Sequence, residues 1–125
     1  MSRLFVKEVY LDPKRCWDEW ISKDSSLDRV ARVLEAEGLI NQKTGKRFTP
    51  TAIRHAAWRY AINNMDEAFA RAKYLKDSLG EPYSREDWEK DVVVGIQFLF
   101  YQNGKRIKKE LEKRGLEKYG NNRLQ

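Results

Sequence analysis

The segment from Gly38 to Met65 is the part of this sequence whose residue types are best suited to recognition chemistry. It contains no aspartate or glutamate, although the whole chain has 19 acidic residues beside 25 basic ones. Cations attract phosphate groups, and the missing carboxylates remove the side chains that would repel them. The pattern therefore favours a polyanion as ligand. The basic residues of the segment are Lys43, Lys46, Arg47, Arg54 and Arg59.

A second excess of positive charge lies in residues 105–125. Together the two segments account for the net charge of +6, because residues 1–37 and 66–104 each contain more acidic than basic side chains. The C-terminal segment has alternating Lys and Glu, so it can also be a solvated amphipathic helix with internal ion pairs. Both interpretations stay open.

Residues that could support catalysis or hold a metal ion are scarce. Cys16 is the only cysteine and His55 the only histidine, which excludes an internal disulfide and a multi-cysteine zinc site. A cluster of carboxylates could hold Mg²⁺, but at its spacing the side chains spread around a helix and point apart. We therefore expect no enzyme, no metal and no cofactor. The cluster consists of Glu86, Asp87, Glu89 and Asp91.

The sequence also lacks signals for a membrane. No apolar run is long enough to span a bilayer, and residues 1–11 lack the apolar centre of a signal peptide. We expect a cytoplasmic protein without a membrane partner.

Helix-start and helix-stop signals divide the chain into mainly helical segments. Asp12 before Pro13 begins a first helix over about residues 12–22. Ser25 or Ser26 begins a second helix, which ends at Gly38. The loop from Leu39 to Phe48 follows, with a turn at Thr44–Gly45. The fold class predicted is all-α, with a helix-turn-helix core.

Further helices are predicted after this loop. Thr49–Pro50 opens a third helix, and Asn64 with Glu67 matches a capping box that restarts the chain as a fourth helix after a kink. Gly80 and Pro82 end that helix. Residues 4–11 fit neither the helical nor the strand period, so they are either a short N-terminal strand or an irregular arm.

The segment 92–101 is apolar on every face, so its periodicity does not distinguish helix from strand. The β-branched residues and Asn103–Gly104 favour a strand hairpin, but the residues that follow are helical in composition. We interpret Asn103–Gly104 as a break between two helices, and 92–101 as a buried central helix or an oligomer contact. Two units are thus predicted: a helix-turn-helix DNA-binding domain over 1–80 and a helical hairpin over 81–125.

The third helix is predicted to have two different faces. The inward face, which packs on the second helix, carries Ile53, Ala56, Ala57 and Tyr60. The outward face is basic and aromatic, as a helix entering the major groove of duplex DNA requires. For Trp58 the alternative is packing beneath Trp17 or Trp20 of the first helix. The outward residues are Thr51, Arg54, His55, Trp58, Arg59 and Ile62.

The candidate DNA contacts come from this face and from the loop before it. Thr49 and Thr51 lie at the helix N-terminus, where free N–H groups and the helix dipole favour a phosphate. The cations of the loop would reach flanking phosphates. The complete predicted set is Lys43, Lys46, Arg47, Thr49, Thr51, Arg54, His55, Trp58 and Arg59.

Two runs within residues 27–62 resemble a known DNA-binding element. Val30–Ile40 (VARVLEAEGLI) and Thr44–Ile53 (TGKRFTPTAI) are similar to the helix-turn-helix signature of large serine recombinases and related phage and mobile-element proteins. The resemblance implies DNA binding only. The chain is too short for a recombinase catalytic domain, so strand cleavage is not carried over. A small phage or mobile-element factor in transcription regulation or DNA packaging fits better.

The sequence thus predicts a double-stranded DNA-binding protein, with a homo-oligomer formed through 92–101 to multiply weak contacts. The alternative is a protein-interaction module that binds an acidic surface of a host protein and inhibits or redirects it, because basic and exposed aromatic residues serve both purposes.

Overall fold

A computed structural model describes residues 11–119, which form helices joined by loops and turns. Within this range strand pairing is limited to one bridge between Asn41 and Lys46. The predicted all-α class is confirmed, and the segment considered as an N-terminal strand lies outside the described residues except for Leu11. No helix in the range is long and apolar enough to cross a membrane. The helices are α1 (Pro13–Trp17), which continues into a π-helical turn (Asp18–Ser22), α2 (Leu27–Ala36), α3 (Pro50–Asn63), α4 (Met65–Ser78), α5 (Arg85–Leu99) and α6 (Gly104–Lys113).

The helix ends lie where local signals predict them. The N-caps Asp12, Ser26 and Thr49 each accept a hydrogen bond of 3.1 Å from a backbone N–H in the first turn of their helix. Gly38 and Gly80 follow α2 and α4 with positive φ, a conformation in which glycine ends a helix at little cost.

The predicted capping box at Asn64 is wrong, although the break it was meant to explain is present. The Asn64 side chain does not cap α4; its amide donates to the carbonyl oxygen of Tyr60 at 2.9 Å. The Glu67 carboxylate accepts a hydrogen bond from the Tyr60 hydroxyl. Tyr60 therefore engages both members of the predicted pair.

The apolar segment 92–101 is helical as far as Leu99. Val92, Val93 and Ile96 are buried in the core, as the central-helix interpretation predicts. The Asn103 side chain accepts a hydrogen bond from the N–H of Arg106 at 3.1 Å and begins α6. Asn103–Gly104 is thus the predicted break between two helices.

α3 lies at the centre of the molecule and contacts α1, α2, α4 and α5. The ring of Trp58 lies 5.2 Å from that of Trp17 and 6.3 Å from that of Trp88, measured between centroids. A single hydrophobic cluster includes residues from all six helices. The predicted units 1–80 and 81–125 therefore share one core over the described residues.

Arg114, which is nearly buried at the end of α6, links this helix to the end of α3. Arg114 donates from Nε to the carbonyl oxygen of Ile62 at 2.9 Å and forms an ion pair with Glu110. Burial, the largest influence, would raise the pKa of Glu110, but hydrogen bonds from Arg106 and Arg114 outweigh it and leave this pKa below its ordinary value of 4.5. Glu110 is therefore ionised near neutral pH and orients Arg114 toward α3.

Candidate nucleic-acid interface

A tight turn over residues 41–46 presents the first two cations of the acid-free segment. The N–H of Asn41 donates to the carbonyl oxygen of Lys46 at 2.9 Å, and the Asn41 side chain accepts from the N–H of Lys43 at 2.8 Å. Gly45 has φ +71°, which glycine adopts without strain. The backbone of the turn is thus defined by its own hydrogen bonds, while Lys43 and Lys46 are exposed.

The turn is anchored to the rest of the fold on its C-terminal side. Arg47 forms an ion pair of 2.8 Å with Glu35 of α2, and the next residue, Phe48, is buried in the core. Arg47 therefore has a structural partner, and its charge is partly neutralised. Of the three predicted cations in this loop, Lys43 and Lys46 have no carboxylate within 4 Å among residues 11–119.

The N-terminus of α3 offers fewer free donors than the sequence suggested. Thr49 Oγ1 accepts the N–H of Ala52, and the carbonyl oxygen of Thr49 accepts the N–H of Ile53. Pro50 has no N–H to donate. Thr51 contributes the one backbone N–H of this first turn that is left for a phosphate, together with its exposed hydroxyl.

The predicted outward orientation of Trp58 and Ile62 is wrong. Each is 6% exposed, and α5 packs against α3 at Trp58. The close approach depends on Gly95 of α5, where an added Cβ would lie 2.4 Å from two ring carbons of Trp58. The alternative interpretation, in which Trp58 packs against Trp17 and Trp20, is confirmed by centroid distances of 5.2 and 6.4 Å.

Arg54 and His55 are half-covered by the end of α5. The guanidinium carbon of Arg54 lies 4.3 Å from the centroid of the Phe98 ring, and the His55 ring contacts the same phenylalanine. Arg59 is exposed and donates from Nη1 to Nδ1 of His55 at 3.2 Å. Since a guanidinium can only donate, this contact requires a neutral His55 with its proton on Nε2.

The surroundings of His55 favour the same neutral form. Burial is the largest cause that lowers its pKa below 6.5, the positive charge of Arg59 lowers it further, and a hydrogen bond with the backbone of Leu99 offsets part of this. His55 therefore adds no positive charge to the surface at neutral pH. Its contribution is to accept the hydrogen bond that orients the Arg59 side chain.

The charges of this surface are distributed unlike those of residues 11–37 and 66–104. There every cation except Arg29 has a carboxylate within 4 Å, for example Lys73 with Asp77 at 3.2 Å and Lys90 with Glu86 at 3.5 Å. In the acid-free segment only Arg47 has a carboxylate within 4 Å among the described residues. The remaining four cations of the segment, which have none, are Lys43, Lys46, Arg54 and Arg59.

The acidic residues that could have held Mg²⁺ are engaged separately at the start of α5. Asp87 accepts the N–H of Ser84 at 3.1 Å as half of a capping box, and Asp91 accepts the hydroxyl of Tyr83. No group of acidic, histidine or cysteine side chains in residues 11–119 is arranged to hold a metal ion. The remaining members pair with basic or tyrosine side chains: Glu86 with Lys90, and Glu89 with Arg85 and Tyr119.

Sequence reasoning missed the residues at the end of α5. Phe98, Phe100 and Tyr101 leave part of their rings exposed, and Tyr101 is 76% exposed. The run is apolar on every face, so its period gave no indication of which side meets water. Composition did indicate the cations of α6, since Lys105, Lys108 and Lys109 are exposed and have no carboxylate within 4 Å in the described chain.

Comparison of the chain with protein-family models, with characterised proteins and with solved structures gives no match. The resemblance of residues 27–62 to recombinase DNA-binding elements stays a prediction.

Proposed function

We propose that this protein binds nucleic acid, with duplex DNA as its main ligand, through contacts with the phosphate backbone. The observation that carries the proposal is a set of exposed cations that have no carboxylate within 4 Å among residues 11–119 and lie in a segment without carboxylates. Lys43 and Lys46 extend from a turn whose backbone is ordered by its own hydrogen bonds. Arg59 extends from the exposed edge of α3. Phosphate contacts of this kind supply most of the affinity of non-specific DNA binding.

The packing of α3 bears on how such a protein would contact DNA. α1, α2 and α5 cover much of the helix, and the exposed polar side chains left along one edge include Thr51, Arg59 and Asn63, spaced by eight and four residues. An edge of this kind suits phosphates better than base edges deep in the major groove, which a helix reads when it protrudes. The proposed mode is therefore a backbone clamp with modest sequence discrimination.

A small factor of a phage or mobile element that acts in transcription regulation or DNA packaging could use such a clamp. The likeness of residues 27–62 to recombinase DNA-binding elements supports this context. A backbone clamp with few contacts is weak by itself, so several copies on one duplex would strengthen it by multiplying contacts.

The test is fluorescence anisotropy of a labelled random-sequence duplex across a series of salt concentrations. We expect the logarithm of the binding constant to fall linearly with the logarithm of salt, with a slope of about 0.9 per phosphate contact. The variant Lys43→Ala with Lys46→Ala should bind more weakly and should lower that slope by about two contacts.

The matched control removes two lysines that have carboxylate partners, Lys73→Ala with Lys90→Ala. It changes the net charge by the same amount, so a general effect of charge would weaken both double variants equally. Equal weakening, or a wild-type protein that binds the duplex without salt dependence, would refute the proposal. Capture of a protein partner from nuclease-treated lysate, with no duplex binding, would favour the alternative class.

A further inference from the structure

An aromatic patch lies where α5 ends and the chain turns into α6. It consists of Phe98, Phe100 and Tyr101, none of which is buried. The tryptophans of α1, α3 and α5 behave differently: Trp17, Trp58 and Trp88 are each at most 6% exposed. Phe98 and Phe100 are partly buried and pack against the core, whereas Tyr101 is 76% exposed beside cations, so core packing does not account for its position.

Two of the three rings are already covered on one face by arginines. The guanidinium carbon of Arg54 lies 4.3 Å from the Phe98 centroid, and that of Arg106 lies 4.5 Å from the Phe100 centroid. Tyr101 makes no such stack and no aromatic pair with any described residue, and it is 76% exposed. Among the described residues, the Tyr101 ring is therefore the part of the patch that is open to a ligand.

The backbone that carries Tyr101 is well ordered. Gln102 has φ +64°, and the N–H of Asn103 donates to the carbonyl oxygen of Phe100 at 2.9 Å. The Asn103 side chain then caps α6. The backbone beside the ring is therefore already in place, and only the Tyr101 side chain itself has to be ordered when a ligand stacks on it.

Unpaired cations follow the ring directly. Lys105, Lys108 and Lys109 of α6 are exposed and have no carboxylate within 4 Å in the described chain, and Arg54 is likewise without one. An aromatic face for a base beside cations for the backbone is the combination with which proteins hold single-stranded nucleic acid. A duplex does not offer its base faces, because they are stacked inside it.

We propose that Tyr101 stacks on an unpaired base of single-stranded nucleic acid, while Lys105 and its neighbours on α6 contact the adjoining phosphates. The inference rests on the proposed nucleic-acid binding and adds a ligand class to it: unpaired bases, contacted at a site other than the turn over 41–46.

The experiment compares Tyr101→Ala, Tyr101→Phe and Tyr74→Ala by anisotropy with a labelled oligothymidine and with the random duplex. Tyr74 is the matched control, because it is 79% exposed but lies on α4 beside the paired Lys73 and Asp77. We expect Tyr101→Ala to weaken oligothymidine binding about tenfold or more and duplex binding less than about twofold. Tyr101→Phe should keep the affinity, since stacking needs the ring and not the hydroxyl.

The outcomes separate the two proposals. If wild type binds neither probe, the proposed function fails and this inference fails with it. If wild type binds but Tyr101→Ala matches Tyr74→Ala on oligothymidine, the inference alone is overturned. A Tyr101→Ala variant that changes the oligomeric state in size-exclusion chromatography, with oligothymidine affinity unchanged, would also overturn it and would assign the patch to contacts between copies.

Discussion

The two halves of the acid-free segment differ in why they lack carboxylates. In the turn over 41–46, Lys43 and Lys46 are exposed, so burial does not explain the absence of acidic residues. In α3 half of the positions are buried, and Trp58 is 6% exposed. A buried helix excludes Asp and Glu because an unpaired charge is costly in a core. The same composition thus has a packing cause in the buried half of α3, whereas in the turn it agrees with the proposed binding of nucleic acid.

The largest expected difference between the halves is in stability. Trp58→Ala removes a ring from the centre of the core and should lower the free energy of unfolding by about 3–5 kcal/mol. Thr44→Ala in the turn removes a side chain that accepts the N–H of Lys46 at 3.2 Å, and should cost about 1 kcal/mol or less. Urea unfolding of both variants measures this. Similar losses would contradict the division into packing and recognition halves.

Glycines give a second contrast of intermediate size. Gly95→Ala places a Cβ 2.4 Å from ring carbons of Trp58, and should destabilise the fold by about 1–3 kcal/mol despite the better helix propensity of alanine. Gly45→Ala meets no atom within 4 Å but has φ +71°, so it should cost about 1 kcal/mol of backbone strain.

Asparagine separates these two causes. Gly45→Asn should recover part of the loss, because asparagine adopts positive φ more readily than alanine. Gly95→Asn should be no better than Gly95→Ala, since the obstacle there is space. Thermal unfolding of the four variants measures both effects, and a rescue at Gly95 would show that the contact with Trp58 does not limit the packing of α5.

The two halves should also differ in their share of binding. Lys43→Ala with Lys46→Ala should reduce the salt dependence of duplex binding by about two contacts. Arg54→Ala with Arg59→Ala should reduce it less, because Phe98 covers Arg54 and only Arg59 is exposed. Anisotropy over one salt series compares the double variants directly. A larger loss of salt dependence in the arginine variant would assign the main phosphate contacts to α3 and not to the turn.

The smallest effect is a pH dependence confined to the α3 half. The lowered pKa of His55 means that the unfolded chain takes up a proton more readily than the folded one, so stability should decrease as the pH falls through the unfolded value of 6.5. His55→Gln should reduce this decrease between about pH 7.5 and 5.5.

Urea unfolding at the two pH values is the measurement. Carboxylates such as Glu110, whose pKa lies below 4.5, reduce the stability only at lower pH. They therefore contribute little to the change between about pH 7.5 and 5.5. Equal pH dependence in wild type and His55→Gln would show that His55 is not held neutral by its surroundings.

Local signals predicted more of this fold than non-local ones. The caps at Asp12, Ser26 and Thr49 depend on contacts within one turn, and all three are present. Asn64 and Glu67 had the spacing of a capping box, but Tyr60, one turn before Asn64, has both as hydrogen-bond partners. Spacing alone does not reveal such a competitor.

The candidate site shows the same division. The exposure of Lys43 and Lys46 was predictable from turn residues close in sequence. The burial of Trp58 depends on α5, and in particular on Gly95, which lies far along the chain. The orientation of Tyr101 could not be predicted either, because a run that is apolar on all faces has no preferred side until its neighbours are placed.

The tryptophan cluster has an optical consequence. All four tryptophans of the chain belong to it, with neighbouring ring centroids 5.2 to 6.4 Å apart. Rings this close share excitation and exchange it faster than they emit, so intrinsic fluorescence reports the state of the core as a whole. The turn over 41–46 contains no fluorophore. A variant that loses ligand while its tryptophan emission spectrum is unchanged has therefore lost binding, and one whose spectrum shifts to the red has lost its fold.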